Sequence, residues 1–183
     1  MKTFRFILGF AALAAGCAQP PVQEIAAAQS AIETAVKAGA EDYADQDLRA
    51  ARDTLAVANT QVEAKDYKAA KLSALDAKTK AEAASAGVET GRAHFKAGVE
   101  TKLAAVQPVL DEIEGLLAKS KSRKVEPLKQ EVGELKGELD AARAAYDAGK
   151  YRSALDKCQP LDLLLSNLKD RAEEAVRKGP KGK

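Results

Sequence analysis

The chain has no tryptophan, one histidine, one methionine and two cysteines, and aromatic residues make up only 4% of it. Phe4, Phe6 and Phe10 fall in the first ten residues, which leaves Tyr43, Tyr67, Phe95, Tyr146 and Tyr151 for everything that follows. So few large rings cannot fill a thick globular core. The single histidine, His94, limits any multi-histidine metal site or histidine-based catalytic triad, and no cysteine or histidine pair stands at zinc-ligand spacing. No run reads as a β-strand, so no glycine-rich phosphate loop can follow one. An excess of one charge is missing too. The 29 basic residues oppose 27 acidic ones, and the balance becomes 27 to 27 once Lys2 and Arg5 are set aside with the N-terminal segment. Interspersed charges of this kind read as solvated helix faces. They argue against nucleic acid as a partner, since displacing counterions from phosphates needs a basic stripe.

What is present is alanine in a rhythm of three and four, and the rhythm occurs twice. Leu48, Ala51, Leu55, Ala58 and Val62 reappear 84 residues later as Val132, Leu135, Leu139, Ala142 and Tyr146. The correspondence runs through a turn, Lys65-Asp66-Tyr67 against Gly149-Lys150-Tyr151, and continues from Ala70, Ala74 and Ala77 to Ala154, Cys158 and Leu161. Alanine loses no side-chain entropy in a helix and lets neighbouring helices approach closely. The pattern therefore predicts an all-α, elongated antiparallel helical bundle or coiled coil built from two duplicated helical hairpins. Leu55 and Leu139 are its expected packing residues, and Tyr67, Tyr146 and Tyr151 are expected at its turns.

The first residues set an address. Met1-Lys2-Thr3-Phe4-Arg5 is a positive head, Phe6 to Ala14 is apolar, and Ala14-Ala15-Gly16-Cys17 ends in small residues before a cysteine. This resembles a secretory signal closed by a bacterial lipobox, with Ala14 where leucine is commonest. The resemblance implies that Cys17 is the lipidated first residue of the mature chain. Two or three acyl chains make a stable anchor. Ala18 in place of aspartate after the cysteine implies sorting to the outer membrane, with the protein on its periplasmic face. Gln19-Pro20-Pro21 then forms a short, stiff tether.

The mature chain divides by pattern into a tether (17–21), N-terminal helices with the first hairpin (22–88), a connecting helical segment with a basic loop (89–124), a second hairpin (125–178) and a basic tail (179–183). The first helix is predicted from Val22 to Ala38 with Gly39 as its stop. Glu41 to Ala44 is predicted as a loop, with Asp45 or Asp47 capping the second helix and Asp66 the third. Gly91 and Gly98 are expected to loosen the third helix, and Pro108 to kink or restart it. Pro160 is expected to bend the last helix without ending it.

Ala38-Gly39-Ala40, Tyr43-Ala44, the Leu48 to Ala58 spacing and the Asp66-Tyr67-Lys68-Ala69-Ala70 turn resemble a family of small, uncharacterised, alanine-rich envelope lipoproteins, over about Ile25 to Ser85. That family often has proline after the Tyr-Ala pair, where this chain has Asp45. The resemblance implies an all-helical periplasmic module, sometimes joined to peptidoglycan-associated domains, and no catalytic motif travels with it. The Ala144 to Leu155 turn also resembles that of a tetratricopeptide-type helix pair, without the rest of that consensus. A lipidated cysteine, an alanine-rich helical body and a C-terminal lysine, here Lys183, are shared with the murein lipoprotein family. That likeness implies possible wall attachment through Lys183.

The remaining candidates have plain readings. Cys158 stands where Ala74 stands in the first hairpin, so it is expected as a small buried hydrophobe, an intermolecular disulfide being the alternative. Asp111, Glu112 and Glu114 alternate with core positions and are expected to face water, and His94 reads as a partly exposed helix residue. Lys119 to Lys124 reads as a solvated basic turn, with a polyanion or headgroup site as the alternative. The expected role is a structural or adaptor module of the cell envelope. Its partners are expected to be the membrane, through the N-terminal lipid, and an envelope protein or peptidoglycan-associated component. No enzymatic activity, cofactor, metal or nucleic acid is expected. The rival is a carrier or holdase that takes apolar ligands in a groove between helices.

Overall fold

A computed structural model describes residues 19–120 and 123–177. The expected signal segment, Cys17, Lys121, Ser122, the tail 179–183 and Lys183 lie outside the described residues. All regular structure within them is helical: α1 (Val22–Ala38), α2 (Ala40–Tyr43), α3 (Asp45–Glu63), α4 (Tyr67–Ala118), a 3-10 turn (Arg123–Val125), α5 (Glu126–Asp147), α6 (Tyr151–Cys158) and α7 (Leu161–Arg177).

The starts and stops follow from local chemistry, with some departures from the sequence expectation. Gly39 ends α1 at a φ of 97°, a left-handed conformation that glycine adopts without steric cost. The segment after it is not a loop. Residues 40–43 make a full turn, α2, because the amides of Asp42 and Tyr43 bond the Gly39 carbonyl at 3.1 and 3.2 Å. The chain passes from α2 to α3 through Ala44 alone, so Asp45 and Asp47 fall inside the first turn of α3 and neither caps it. Their charge still suits the helix N-terminus, and Asp45 pairs with Arg49 at 2.5 Å. Asp66 does cap α4, accepting from the Ala69 amide at 3.1 Å.

The hairpin turns are duplicated bond for bond. Lys65 N–H donates to Val62 and Asp66 N–H to Gln61 in the first, Gly149 N–H to Tyr146 and Lys150 N–H to Ala145 in the second, all at 2.9 Å. Each turn needs one left-handed residue, supplied by Lys65 at φ 62° and Gly149 at φ 73°.

The spine of the molecule is α4, whose 52 residues extend about 78 Å at the helical rise. Pro108 lies inside it without interrupting it. Proline removes its bond to the Ala104 carbonyl, but both residues are exposed, so water can satisfy the freed oxygen while Val106 and Leu110 hold the buried face. Pro160 does more than bend its helix. The missing amide leaves Asp156 without its helical donor, and α6 and α7 are separate elements. Gln159 keeps helical dihedrals of −55° and −46°, so the path continues and Cys158, Leu161 and Leu165 stay on one buried face.

Two three-helix bundles share α4 end to end. Its first half packs with α1 and α3 around Ile32, Ala35, Leu48, Ala81 and Val88. The second half packs with α5, α6 and α7 around Leu110, Ile113, Leu139, Leu161 and Leu168. The stretch read from sequence as a connecting segment thus holds the first helix of the second bundle. A match at an offset of 85 accompanies it: buried Pro21, half-buried Ile25, and buried Ala28 and Ile32 correspond to buried Val106, Leu110, Ile113 and Leu117. The duplicated unit is therefore a three-helix bundle, and α4 serves as the third helix of one copy and the first of the next.

Candidate functional site

The place where the two bundles meet draws in the largest share of the aromatic residues, and glycine makes it possible. A Cβ on Gly91 would lie 1.9 Å from the Tyr43 carbonyl oxygen, so only glycine lets the α2–α3 corner seat against α4 there. A Cβ on Gly98 would be 3.5 Å from Leu155. These glycines do not loosen α4, as the sequence suggested. They mark where another element comes close.

On that seat Tyr43 turns its ring edge to Phe95, with centroids 5.9 Å apart, and its hydroxyl donates to the Gly149 carbonyl in the turn of the second hairpin at 3.1 Å. Arg92 lies 5.2 Å from the Tyr43 ring centroid and Arg152 lies 5.8 Å from that of Phe95. Arg152 also donates to the carbonyls of Glu41 and Asp42 at 3.4 and 3.2 Å. Three segments of chain, α2, the middle of α4 and the start of α6, are locked by these contacts. His94 is exposed beside Phe95, 6.0 Å between centroids. The signal for this site was in the sequence as Tyr43, Gly91 and Phe95, but nothing local said that Gly149 and Arg152 would join them.

The hairpin residues chosen from sequence separate into unequal roles. Leu139 is buried, whereas Leu55 is half-buried at the margin of the first core. The rings of Tyr146 and Tyr151 meet at a tilt of 59° with centroids 5.3 Å apart, and Tyr146 donates its hydroxyl to Glu100 on α4. That bond to a carboxylate pushes the Tyr146 hydroxyl up to about 12, because ionising it would lose the donor and set two negative charges together. Tyr67, the counterpart of Tyr151, is half-exposed, and Val62 holds the place in the repeat that Tyr146 holds in the second hairpin.

Cys158 is fully buried among Val99, Ala142 and Ala154, and burial pushes its thiol up, away from the reactive thiolate. The acidic trio does not converge. Asp111 accepts from Gln107 at 2.6 Å, Glu112 pairs with Lys169 at 2.7 Å and Glu114 with Lys136, so these carboxylates tie α4 to itself, α7 and α5 respectively. Among the described residues no group of three His, Cys, Asp or Glu could hold a metal ion, and no polar side chain is buried.

Two grooves are wide enough to note. One of about 390 Å³ lies between α4 and α5 beside Leu117 and Val132, with Glu114 and Lys129 on its rim. The other, of about 460 Å³, lies between α1 and α4, where Ser30, Thr34, Lys78 and Glu82 set polar groups beside Ala27 and Ala31. No helix among the described residues is long and apolar enough to cross a membrane.

Residues 23–97 match a domain of unknown function, DUF4398. The match covers α1, α2, α3 and the first part of α4, and so takes in Tyr43, Gly91 and Phe95 but not the second bundle. It fits the resemblance to an uncharacterised family. No curated protein and no solved structure gives a significant match to the chain.

Proposed function

We propose that this is a lipid-anchored outer-membrane lipoprotein facing the periplasm, whose helical rod serves as a structural or adaptor module of the cell envelope. The observation that carries the reading is the separation of the chain's two described ends. At one end α1 begins beside the start of α4, where Glu24 pairs with Lys71 at 2.7 Å. At the other, α7 finishes beside the end of α4, where Lys169 pairs with Glu112 at 2.7 Å. Between them α4 runs uninterrupted. An acylated Cys17 stands two residues before the first described one, so the rod starts close to the lipid surface and carries its second bundle outward. The surface presented there is available to an envelope protein or a peptidoglycan-associated partner.

Labelling cells with a radioactive fatty acid tests the anchor. Wild-type protein takes up label, and Cys17→Ser loses it and either leaves the membrane fraction or accumulates as precursor. Label that persists in Cys17→Ser refutes the anchor. Photocrosslinking residues placed at the two ends test the adaptor role: one at Glu173 captures a defined envelope partner and one at Lys65 does not.

The same separation of ends favours a second reading, covalent attachment of the far end to the wall through Lys183. Lysozyme digestion of washed sacculi then yields muropeptides on Lys183. Complete removal of the protein from sacculi by boiling detergent excludes this reading.

A further inference from the structure

The outward face of α4 is left uncovered by the other helices. Its buried side chains, from Ala70 to Leu117, pack toward them, and the opposite face steps by three and four through Leu72, Leu75, Thr79, Ala83, Ala86 and Thr90. The same spacing continues through alanine and threonine alone to Ala104 and then Pro108. Each of these residues is exposed, Leu72 at 62% and Leu75 at 43%, and none is charged. Lys68 and Asp111 bound the face at its two ends. Of the other exposed residues between Leu72 and Pro108, all but His94 and Ala105 are charged, so the face is set apart from its own flanks. Covering it strands no hydroxyl at Thr79 or Thr101, because these donate to the Leu75 and Ala97 carbonyls at 3.1 and 2.9 Å.

The two borders of the face carry ion pairs of opposite polarity. On the α1 side Lys78 pairs with Glu82 at 3.5 Å, and both line the groove beside α1. On the α3 side Asp76 pairs with Lys80 at 2.7 Å, and Lys80 also donates to Thr54 of α3 at 2.9 Å. The matching positions differ by two residues, or about 3 Å in height. Parallel two-fold pairing of two α4 helices sets the α1-side border of one copy against the α3-side border of the other. Lys78 then meets the partner's Asp76, Glu82 meets the partner's Lys80, and symmetry repeats both contacts. Farther along, the α3-side border runs through Gly87, His94, Gly98 and Ala105, so no like charge opposes Glu89, Lys96 or Glu100 at neutral pH. The face is about 54 Å long and a helix contact about 10 Å wide, so a pair covers roughly 1,100 Å² in all. That area suffices for a specific interface and suits a reversible one.

We infer that the outward face of α4 binds the same face of a second copy of this chain, in parallel and in register. The parallel sense rests on the anchor proposed above, which holds both copies by the same end and raises their local concentration. An antiparallel pair centred on Thr90 covers the same face but carries the two lipid-bearing ends apart.

Sedimentation equilibrium of the chain from Ala18 onward is expected to show reversible dimers with a dissociation constant on the order of 100 µM. Ala86→Glu with Ala97→Glu puts charge in the middle of the face and weakens the dimer at least tenfold. Ala56→Glu, on the exposed surface of α3, leaves it within twofold. Circular dichroism confirms that each variant keeps its helices. This measurement does not involve Cys17, so its failure is distinguishable from failure of the anchor. For orientation, the full chain with Cys158→Ala and either Thr79→Cys or Thr90→Cys is oxidised in cells, with Cys158→Ala alone as the blank. Parallel pairing links both variants into disulfide dimers. Antiparallel pairing about Thr90 links only the second, because it sets the two Thr79 positions about 33 Å apart along the axis. Linking of Thr90→Cys alone therefore overturns the parallel arrangement. A chain that stays monomeric, or that dimerises equally well with both glutamates in place, overturns the interface.

Discussion

The Tyr43 hydroxyl donates to the Gly149 carbonyl across 3.1 Å, joining the corner of the first bundle to the hairpin turn of the second, 106 residues away in sequence. With Arg152 bonded to the Glu41 and Asp42 carbonyls beside it, this contact turns two bundles strung on one helix into a jointed unit with little freedom at the joint. The clearest consequences concern the glycines that allow it.

Gly91→Ala forces a methyl group to within 1.9 Å of the Tyr43 backbone oxygen, which cannot retreat without unseating α2. A cost of roughly 2–4 kcal/mol is expected. Gly115 lies in the same helix with nothing within 4 Å of a Cβ, so Gly115→Ala should stabilise by roughly 0.5–1 kcal/mol through helix propensity alone. Urea unfolding of the two variants checks the sign of each effect.

The two hairpin turns make an opposed pair. Lys65 sits at φ 62° without being glycine, and Gly149 occupies the equivalent position at φ 73°. Lys65→Gly relieves left-handed strain and should stabilise by up to about 1 kcal/mol, whereas Gly149→Ala should cost about 1 kcal/mol. Thermal midpoints moving the same way in both variants would contradict the equivalence of the turns.

Leu139 and Leu55 hold matching places in the repeat but differ in burial. Leu139→Asp places a carboxylate in an apolar interior and should cost about 4 kcal/mol, and Leu55→Asp at a half-buried margin about half as much. Exposed Glu63→Ala is expected to change stability by less than about 0.5 kcal/mol. Denaturant midpoints rank the three.

Tyr146 titrates late. Its hydroxyl, held by Glu100, is pushed up to about 12 from an ordinary value of 10.0. The bonded, neutral form is the stabilising one, so this contribution is whole below pH 10 and disappears as pH rises toward 12. Ultraviolet titration should show one tyrosine ionising well above the others, and Glu100→Gln should bring it back toward them. The ion pair of Glu131 with Arg171 works in the opposite direction. The bond from Arg171 lowers the Glu131 carboxyl below 4.5, so what it adds is present at neutral pH and disappears as acid protonates the carboxylate.

Much of this architecture can be read in the residues, and the failures have physical causes. The period of three and four gave the helices, and alignment of Lys65-Asp66-Tyr67 with Gly149-Lys150-Tyr151 located both turns, because a tight turn needs one left-handed residue and a fixed pair of bonds. Continuity of α4 was harder, since glycine and proline are the usual signals for interruption. Gly91 is there for a neighbour that only the fold reveals, Gly98 sits in a helix that runs on through it, and Pro108 faces water where its lost bond costs little. The third helix of the repeat was hidden by a slip of one residue, from an offset of 84 to one of 85, and by the exchange of Ala28 for Ile113. The junction could not be assembled locally, because Tyr43 and Gly149 are remote in sequence.

The separation of the two described ends is the claim on which the proposed adaptor role depends, and one distance measures it. Spin labels at exposed positions Gln23 and Glu173, in the chain from Ala18 onward with Cys158→Ala, report the length of the rod by pulsed electron double resonance. Gln23 lies level with the start of α4 and Glu173 level with its last turn, which places the labels about 70 Å apart at the helical rise. A single narrow distribution near that distance is the expected result, and Gly91→Ala should broaden it. A broad distribution in the unmodified rod, or one centred below about 50 Å, would mean that the bundles fold back or move independently, and would contradict a rigid rod with its two described ends far apart.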